Sequence, residues 1–148
     1  GFMISYVNKL GTVRVGDSSP VRIMGILNTS PESFYKKSIS ITKQRIVDAV
    51  NKMEEEGADF IDVGGMSTAP YLSTMISEKI EVARIINAIK IIQSTTNIPI
   101  SVDTCRAAVA KEVLELGVDI INDVTGLKYD TMMQKIIERY CPSLILCA

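Results

Sequence analysis

Several apolar stretches of this sequence end in residues that can hydrogen-bond a ligand. These ends carry Asn28, the Gly64-Gly65 pair, Asp103 and Asn122. A carboxylate such as Asp103 accepts hydrogen bonds, whereas the planar amide of Asn122 both donates and accepts them, so together they can bind the edge of a flat heterocycle. Capping or turn formation explains any one of these residues by itself. If these residues served only structural purposes, they would be scattered over both ends of the strands, so their occurrence at one end favours a binding site.

Two of these ends are followed by hydroxyl-rich segments. Asn28 precedes Thr29 and Ser30, whose uncharged oxygens suit a magnesium ion that keeps its waters and takes its other ligands from a phosphate. The Ser67-Thr68 pair and the backbone amides near it predict a segment that holds an anion. The residues by themselves therefore predict an enzyme with an anionic substrate. A pterin is a flat heterocycle with the edge of donors and acceptors that Asp103 and Asn122 could bind.

Short apolar runs alternate with longer stretches of helical periodicity from residue 21 onward. The predicted strands are Val21–Asn28, Asp59–Gly64, Ile98–Asp103, Asp119–Asp123 and Ser143–Cys147. Between them lie four predicted helices, each with an apolar stripe: Ile46, Val50 and Met53; Val82, Ile85, Ile86 and Ile89; Val109, Val113 and Leu116; Met133, Ile136, Ile137 and Tyr140. Such alternation predicts a parallel sheet covered by helices.

Repeated strand–helix steps fit either a doubly wound sheet or part of a (β/α)8 barrel. Polar groups at the ends of several strands favour the barrel, because a doubly wound sheet concentrates its ligand behind one Gly-x-Gly-x-x-Gly turn, which this sequence lacks. We therefore predict an α/β fold, a TIM-type (β/α)8 barrel with its first five steps in residues 21–148. Residues 1–20 are predicted to form a hairpin and linker, with Ile4–Asn8 and Thr12–Val15 as strands, at the bottom of the barrel.

Residues typical of helix ends support these boundaries. Helix N-caps are predicted at four positions: Thr42, Ser77, Thr104 and Asp130. Gly57 and Gly117 follow helices and are predicted to end them in the left-handed conformation, with a strand beginning within two residues.

Composition excludes several classes of function. With 16 Lys+Arg against 17 Asp+Glu, the chain has no basic surface of the kind that nucleic acids require. No apolar stretch reaches the roughly 18 residues of a membrane span and no signal peptide is evident, so we expect a cytoplasmic protein without membrane or nucleic-acid partners. Three cysteines and no histidine argue against zinc sites and histidine-based triads.

Four segments resemble the signatures of the dihydropteroate synthase family. Residues 24–34, Met-Gly-Ile-Leu-Asn-Thr-Ser-Pro-Glu-Ser-Phe, are similar to its first signature, and residues 62–70, Asp-Val-Gly-Gly-Met-Ser-Thr-Ala-Pro, to its second. Residues 100–104 and 120–124 are similar to the third and fourth strand ends of the family. The four motifs occur in the family's order and spacing, which makes the resemblance specific.

The resemblance implies a barrel that joins hydroxymethyl-dihydropterin pyrophosphate to para-aminobenzoate and releases pyrophosphate in folate biosynthesis. It implies that Asn28 helps to hold Mg2+ against the pyrophosphate and that Asp103 and Asn122 hydrogen-bond the pterin. Val124 and Leu146 would pack on or near the pterin ring. The loops after the first two strands would close over the arylamine through Phe34, Ser67, Thr68 and Pro70.

Both of these loops depart from the family pattern. Met66 replaces a glutamate, Ala69 replaces an arginine, and residues 35–38, Tyr-Lys-Lys-Ser, replace Ser-Asp-Gly-Gly. The altered charge predicts a different arylamine. The run Pro-Glu-Ser-Phe-Tyr-Lys is similar to archaeal members, some of which use a ribosylated, phosphorylated arylamine. Lys36 or Lys37 would meet that phosphate, unless both lysines are simply solvated.

A complete barrel of this type takes about 200 residues or more, and this sequence stops within the predicted fifth strand. The family's residues on later strands, namely an aspartate, a lysine, a Ser-Arg pair and an arginine, are absent from it. Cys147 stands where the family often has histidine. We therefore expect the 148-residue chain alone to be inactive, with a homodimer or a barrel-completing partner.

Two further functions are compatible with these motifs. A pterin-dependent methyltransferase domain shares the barrel and the strand-end Asp and Asn, but it has no pyrophosphate to bind and therefore no use for residues 28–34. An inactive, pterin-binding half-barrel is the other alternative.

Overall fold

The computed structural model of the chain describes residues 8–15, 20–29, 39–65 and 78–146. Seven strands occur in these ranges: β1 (Asn8–Leu10), β2 (Val13–Val15), β3 (Met24–Asn28), β4 (Phe60–Gly64), β5 (Ile100–Asp103), β6 (Ile120–Asp123) and β7 (Ser143–Leu146). Four helices connect the longer strands: α1 (Ile39–Glu55), α2 (Glu78–Thr95), α3 (Ala107–Glu115) and α4 (Met133–Tyr140).

Strands β3 to β7 form one parallel sheet in chain order, β3-β4-β5-β6-β7. Each crossover adds the next strand on the same side, so right-handed crossovers place every helix on one face of the sheet. A doubly wound sheet would reverse its strand order at a switch point and carry helices on both faces. The described part of the chain is therefore a segment of a (β/α)8 barrel, which confirms the predicted fold class.

The hydrophobic core lies between the sheet and its helices. Strand residues Leu27, Ile61, Val63, Val102 and Ile121 pack there against the helix stripes. The helix side chains that they meet include Ile46, Val50, Ile85, Ile89, Ile92, Val109, Val113 and Met133, all of them buried. The predicted stripes are thus confirmed as core-facing except at two positions: Ile86 is not part of the core, and the hydroxyl of Tyr140 donates a hydrogen bond to Glu115 at the surface.

The carboxyl ends of the first four parallel strands agree with the predicted ends at residues 28, 64, 103 and 123. Their amino ends begin one to three residues later than predicted. β3, for example, begins at Met24 and not at Val21, whose side chain is 92% exposed. The apolar run therefore predicted too early a start for β3, whereas the polar residue Asn28 predicted its end correctly.

The amino-terminal hairpin is present, with its turn shifted from the predicted position. Leu10 pairs with Val13, so the turn is Gly11-Thr12, and Gly11 has a φ of +60°. The Gly11 amide donates a hydrogen bond of 3.1 Å to the hydroxyl of Ser143, the first residue of β7. The hairpin therefore lies at the amino ends of β6 and β7, at the barrel's bottom as predicted, and residues 4–7 lie outside the described ranges.

Three of the four predicted N-caps can be examined. Helix α1 begins at Ile39, so Thr42 lies inside it and the prediction is wrong there. Thr104 is not the N-cap of α3, because that helix begins at Ala107 and its N-cap is Arg106, which makes no side-chain cap bond. Ser77 lies outside the described residues.

Asp130 binds two segments at once. Its Oδ1 atom accepts the amide hydrogen of Met132, the N-cap of α4, at 2.9 Å. Its Oδ2 atom accepts the amide hydrogen of Ala107, the first residue of α3, at 2.8 Å. Asp130 thus supplies the acceptor that Arg106 cannot offer to α3, in addition to closing the turn before α4.

Both predicted glycine stops are confirmed. Gly57 and Gly117 have φ values of +83° and +94°. The amides that follow them, of Ala58 and Val118, donate to the carbonyl oxygens of Met53 and Val113, at 2.9 and 3.2 Å. These bonds satisfy carbonyls at the helix ends and turn the chain directly into the next strand.

Candidate functional site

Three of the predicted site residues lie in one row across the carboxyl end of the sheet. The strand register pairs Asn28 with Gly64, Gly64 with Asp103, and Asp103 with Asn122. Neighbouring strands are about 4.8 Å apart, so Asp103 and Asn122 are direct neighbours and Asn28 is two strands from Asp103. Gly64 itself places no side chain between Asn28 and Asp103.

This row lies on the face of the sheet opposite the helices, which we call the inner face. Residues on either side of the row, such as Leu27, Val63, Val102 and Ile121, belong to the core beneath the helices. Side chains alternate between the two faces of a strand. The row therefore projects into the interior of the barrel, where enzymes of this fold bind their ligands near the carboxyl ends.

Beneath this row lies a second pair of polar residues, Asp62 and Ser101, which are partners in the register. Both are buried, at 5% and 0% exposure. The Ser101 hydroxyl donates a hydrogen bond of 2.5 Å to Asp62 Oδ1. The side chain of Asn122 in the row above also lowers the pKa of the Asp62 carboxyl group, so the two rows interact.

The pKa of Asp103 is raised from 3.8 to about 7, chiefly by burial and then by the nearby negative charges of Asp62, Glu81 and Asp123. Near neutral pH this carboxyl group is thus divided between a charged acceptor and a neutral group that can also donate. Burial raises the pKa of Asp62 as well, whereas its hydrogen bonds with Ser101 and Asn122 lower it.

The amide oxygen of Asn122 is buried and has no hydrogen-bond partner within residues 8–15, 20–29, 39–65 and 78–146. A buried acceptor without a donor costs about 1–3 kcal/mol. The Asn122 oxygen is therefore suited to an N–H group from a ligand.

A buried ion pair supports the chain just after Asp103. Glu81, at 0% exposure on α2, lies with its Oε1 atom 3.2 Å from Nη1 of Arg106. Its Oε2 atom accepts a hydrogen bond of 3.1 Å from the hydroxyl of Thr104, and that hydroxyl accepts the Arg106 amide hydrogen, also at 3.1 Å. Burial raises the pKa of Glu81, and the Arg106 charge opposes the rise.

Gly65 is part of the same support. A Cβ atom at Gly65 would lie 2.9 Å from Cγ of Glu81 and 3.2 Å from Cγ1 of Ile85. The second glycine of the Gly64-Gly65 pair therefore allows α2 to approach the end of β4.

Asp62, Ser101, Glu81 and Arg106 were not among the residues predicted to form the site. The sequence did contain a signal for two of them. Asp62 and Ser101 each lie two positions before a strand end, so alternation places them on the same face as the row above. Glu81 gave no such signal, because a glutamate near the start of a helix is ordinarily solvated.

The remaining predicted residues are placed only in part. Val124 follows β6 directly and is 44% exposed. Leu146 pairs with Asp123, whereas Ile145 pairs with Asn122, so the register puts Ile145 and not Leu146 beside Asn122. Both pterin-packing roles stay predictions. The four loop residues predicted to contact the arylamine lie outside the described ranges: Phe34, Ser67, Thr68 and Pro70.

Two open cavities occur at the opposite end of the sheet, with volumes of about 390 and 280 Å3. Thr12 of the hairpin turn and the Val118-Asp119 segment before β6 line both of them. They lie at the amino ends of the strands, where barrel enzymes do not carry their chemistry. We therefore assign the functional site to the carboxyl end.

The described residues offer neither a metal centre nor a membrane-spanning helix. They contain no group of three or more Cys, Asp or Glu side chains arranged to hold a metal ion. No described helix combines the length and the apolar character that crossing a membrane requires.

Comparison with known families agrees with this geometry. A family profile described as "Pterin binding enzyme" matches residues 24–148. The chain belongs to the family of pterin binding enzymes.

Within that family, the chain is similar to dihydropteroate synthases. It is 39% identical to the dihydropteroate synthase of Clostridium beijerinckii over 132 residues, 89% of this chain and 49% of that protein. It is 40% identical to that of Streptococcus pyogenes serotype M1 over 124 residues, 84% of this chain and 46% of that protein. The chain thus spans about half the length of the curated relatives that it matches.

Solved structures give the same result. The dihydropteroate synthase of Clostridium difficile, crystallised in the presence of pteroic acid, matches with a TM-score of 0.72 and 40% identity, over 83% of this chain and 46% of that one. The Xanthomonas albilineans enzyme with 4-aminobenzoic acid matches with a TM-score of 0.72 and 29% identity, over 91% and 49% of the two chains.

Proposed function

We propose that the protein carrying this chain is a dihydropteroate synthase, a transferase that joins hydroxymethyl-dihydropterin pyrophosphate to para-aminobenzoate or a related arylamine and releases pyrophosphate. The observation that carries this proposal is the row Asn28, Gly64, Asp103 and Asn122 on the inner face. In this row, hydrogen-bonding groups suited to a flat ring and an oxygen suited to a metal–phosphate group lie on one face of the sheet, which supports the proposal.

In this proposal Asp103 and Asn122 bind the edge of the pterin. They are neighbours in the register, and the Asn122 oxygen needs a donor that no described residue supplies. A carboxyl group with a pKa of about 7 at Asp103 can accept or donate, according to its protonation state. An edge that alternates ring nitrogens and N–H groups satisfies both residues.

Asn28 is the proposed ligand for Mg2+. Magnesium keeps several waters and takes its other ligands from substrate phosphates, so a single uncharged oxygen at the end of β3 suits it. Gly64, the register partner of Asn28, places no side chain of its own beside it. When bound, the ion would neutralise charge on the departing pyrophosphate.

The chain's own residues contribute binding and orientation. Asp103 and Asn122 would fix the plane of the pterin, so that its methylene group lies toward Asn28 and the pyrophosphate. The arylamine would enter from the side of the loops after β3 and β4. Holding two reactants and a leaving group in line lowers the barrier without acid–base chemistry from these residues.

The relatives and the structures reported above are dihydropteroate synthases, which supports this function over a methyltransferase. β3 and β7 each pair with a single strand among the described elements, so further strands are needed to close a barrel. We propose that these come from additional sequence or from a partner chain. A homodimer and a cytoplasmic location stay predictions.

The test is calorimetry on a complete barrel that carries this chain, titrated with dihydropterin pyrophosphate and Mg2+ and then with each arylamine. Asp103→Ala and Asn122→Ala should each weaken pterin binding by about 1–3 kcal/mol, because each leaves a buried partner unpaired. Asn28→Ala should abolish the Mg2+-dependent part of pyrophosphate binding and preserve binding of the pterin alone. Unchanged pterin affinity in both of the first two variants would refute the proposal.

A further inference from the structure

The two residues proposed to bind the pterin edge lie at the very end of the ladder between β5 and β6. Asp103 and Asn122 are the final register pair of that ladder within the described residues. One backbone bond follows them, in which the amide of Thr104 donates to the carbonyl oxygen of Asn122 at 3.1 Å. Bonds at the end of an element open more readily than those in its middle. The spacing of the two side chains therefore depends on what holds Thr104.

The hydroxyl group of Thr104 is held on two sides. It donates a hydrogen bond of 3.1 Å to Glu81 Oε2 on α2 and accepts the amide hydrogen of Arg106, also at 3.1 Å. Thr104 is 2% exposed and Glu81 is fully buried, so water does not compete for the bond between them. Thr104 is thus joined to β6 through its amide and to α2 through its hydroxyl.

Glu81 is itself fixed in place. Its Oε1 atom lies 3.2 Å from Nη1 of Arg106, which is also buried, and neither charge can leave without exposing the other to an apolar environment. Its Cγ atom packs over Gly65, where an added Cβ atom would lie 2.9 Å away. Gly65 directly follows Gly64, the register partner of Asp103. One buried carboxyl group therefore contacts the chain just beyond both β4 and β5.

We propose that Glu81 and Thr104 are positioning residues for the pterin site. Glu81 holds the Thr104 hydroxyl, and the Thr104 amide in turn keeps the end of β6 beside the end of β5. Asp103 and Asn122 then stay at the spacing that one ring edge requires. Because hydrogen bonds weaken steeply with distance and angle, a small shift between the two strand ends lowers the affinity for the ring. This inference rests on the proposed function and adds the contacts that set the spacing of its two pterin-binding groups.

The first experiment measures the strand-end bond without ligand, as hydrogen exchange in a complete barrel that carries this chain. Thr104→Val removes the hydroxyl and keeps the shape of the side chain. Exchange at the amide of position 104, corrected for residue type, should quicken about tenfold. The control amide is that of Ile61, which donates to the carbonyl of Pro99 at the opposite end of the sheet and should change by less than about twofold. Equal acceleration at both amides would indicate general loosening and would contradict the proposal.

The second experiment measures the affinity for hydroxymethylpterin by calorimetry. Thr104→Val should weaken binding about tenfold, whereas Thr104→Ser, which restores a hydroxyl, should stay within about twofold of the original affinity. The matched control is Thr95→Val at the other end of α2, which removes a hydroxyl that donates to the carbonyl of Ile91 at 2.7 Å. It should leave the affinity unchanged. Equal losses in the two Thr104 variants, or no loss in either, would refute the positioning role.

The part played by Glu81 is tested by replacing the whole ion pair, because removing one partner leaves a buried charge unpaired. Glu81→Met combined with Arg106→Met keeps flexible side chains of similar length and removes the acceptor of the Thr104 hydroxyl. This double variant should weaken pterin binding about tenfold, and adding Thr104→Val to it should cost nothing more. A full additional loss would show that Thr104 does not act through Glu81. If the double variant does not fold, the Thr104 series still decides the positioning role.

The outcomes separate the two proposals. If the unaltered barrel binds no pterin, the proposed function and the positioning role both fall. If pterin binds and Thr104→Val binds it as tightly as the original, the proposed function stands and the positioning role is refuted.

Discussion

The buried carboxyl group of Asp103 can accept or donate a hydrogen bond near neutral pH, but its burial lowers the stability of the fold when the group is ionised. Its carboxyl group is surrounded by other acidic groups, Asp62, Glu81 and Asp123, and its pKa is raised to about 7. The folded state therefore holds a proton that the unfolded state, with a pKa of 3.8, releases much earlier. Between these two values, folding becomes less favourable as the pH rises.

Asp103→Asn should therefore stabilise the chain at pH 8 and change little at pH 4. The penalty is absent below the unfolded pKa of 3.8 and is complete above the folded pKa of about 7. A transfer between these values corresponds to roughly 4 kcal/mol, and because the residue is partly exposed we expect a gain of about 1–3 kcal/mol. Urea denaturation at the two pH values measures it.

The control for this prediction is Asp48→Asn on α1, an exposed carboxyl group that accepts a hydrogen bond from Gln44. It should change the free energy of unfolding by less than about 0.5 kcal/mol at both pH values. An Asp103→Asn variant that is less stable than the original chain at pH 8 would show that the carboxyl group is held charged by partners.

Among single residues, the sequence predicted the polar residues at the strand ends. It missed the buried polar residues that lie beneath those ends. Asn28, Asp103 and Asn122 could be predicted because an apolar run that stops at a polar residue marks a strand end. Asp62 could not be assigned a role in the same way, since its partner Ser101 lies 39 positions away. The bond exists only because β4 and β5 pair in one particular register.

Among the elements, α3 is the helix whose start depends most clearly on another segment. Its N-cap is Arg106, which has no acceptor for the helix amides, and the acceptor comes from Asp130, in the turn before α4. Sequence patterns identified Asp130 as a capping residue, but they assigned it to the nearer helix. A capping oxygen from 23 positions away is visible only once the strands are in place.

Asp130→Ala should destabilise the fold by about 1–2 kcal/mol, because the Ala107 amide at the start of α3 loses its acceptor. Hydrogen exchange at Ala107 should quicken more than exchange at amides in the middle of α3. Asp130→Asn keeps one acceptor oxygen, which can serve the amide of Ala107 or that of Met132 but not both, so this matched variant should lose about half as much. Equal losses in the two variants would contradict the role of the side-chain oxygen as an acceptor at the start of α3.

Within the described ranges, helices cover one face of the sheet and no described element covers the other. Helices cover the outer face, where Ile61, Val63 and Val102 are fully buried. On the inner face Ile26 of β3 is 70% exposed, although it is a large apolar residue in the middle of a strand. The strand order followed from the predicted barrel, because each helix connects neighbouring strands. The exposure of Ile26 could not be predicted in this way, because it depends on which elements pack against the inner face of the sheet.

We therefore expect the 148-residue chain, studied alone, to associate in a concentration-dependent way through β3 and the inner face. Exposed apolar side chains beside an unpaired strand edge favour such association. In sedimentation velocity, Ile26→Ser should move the population toward monomer. Ile80→Ser is the matched control, because Ile80 is 45% exposed on α2, away from the sheet, and its loss should leave the distribution unchanged. A monomeric chain at all concentrations, or equal effects of the two substitutions, would show that the inner face is not the surface that associates.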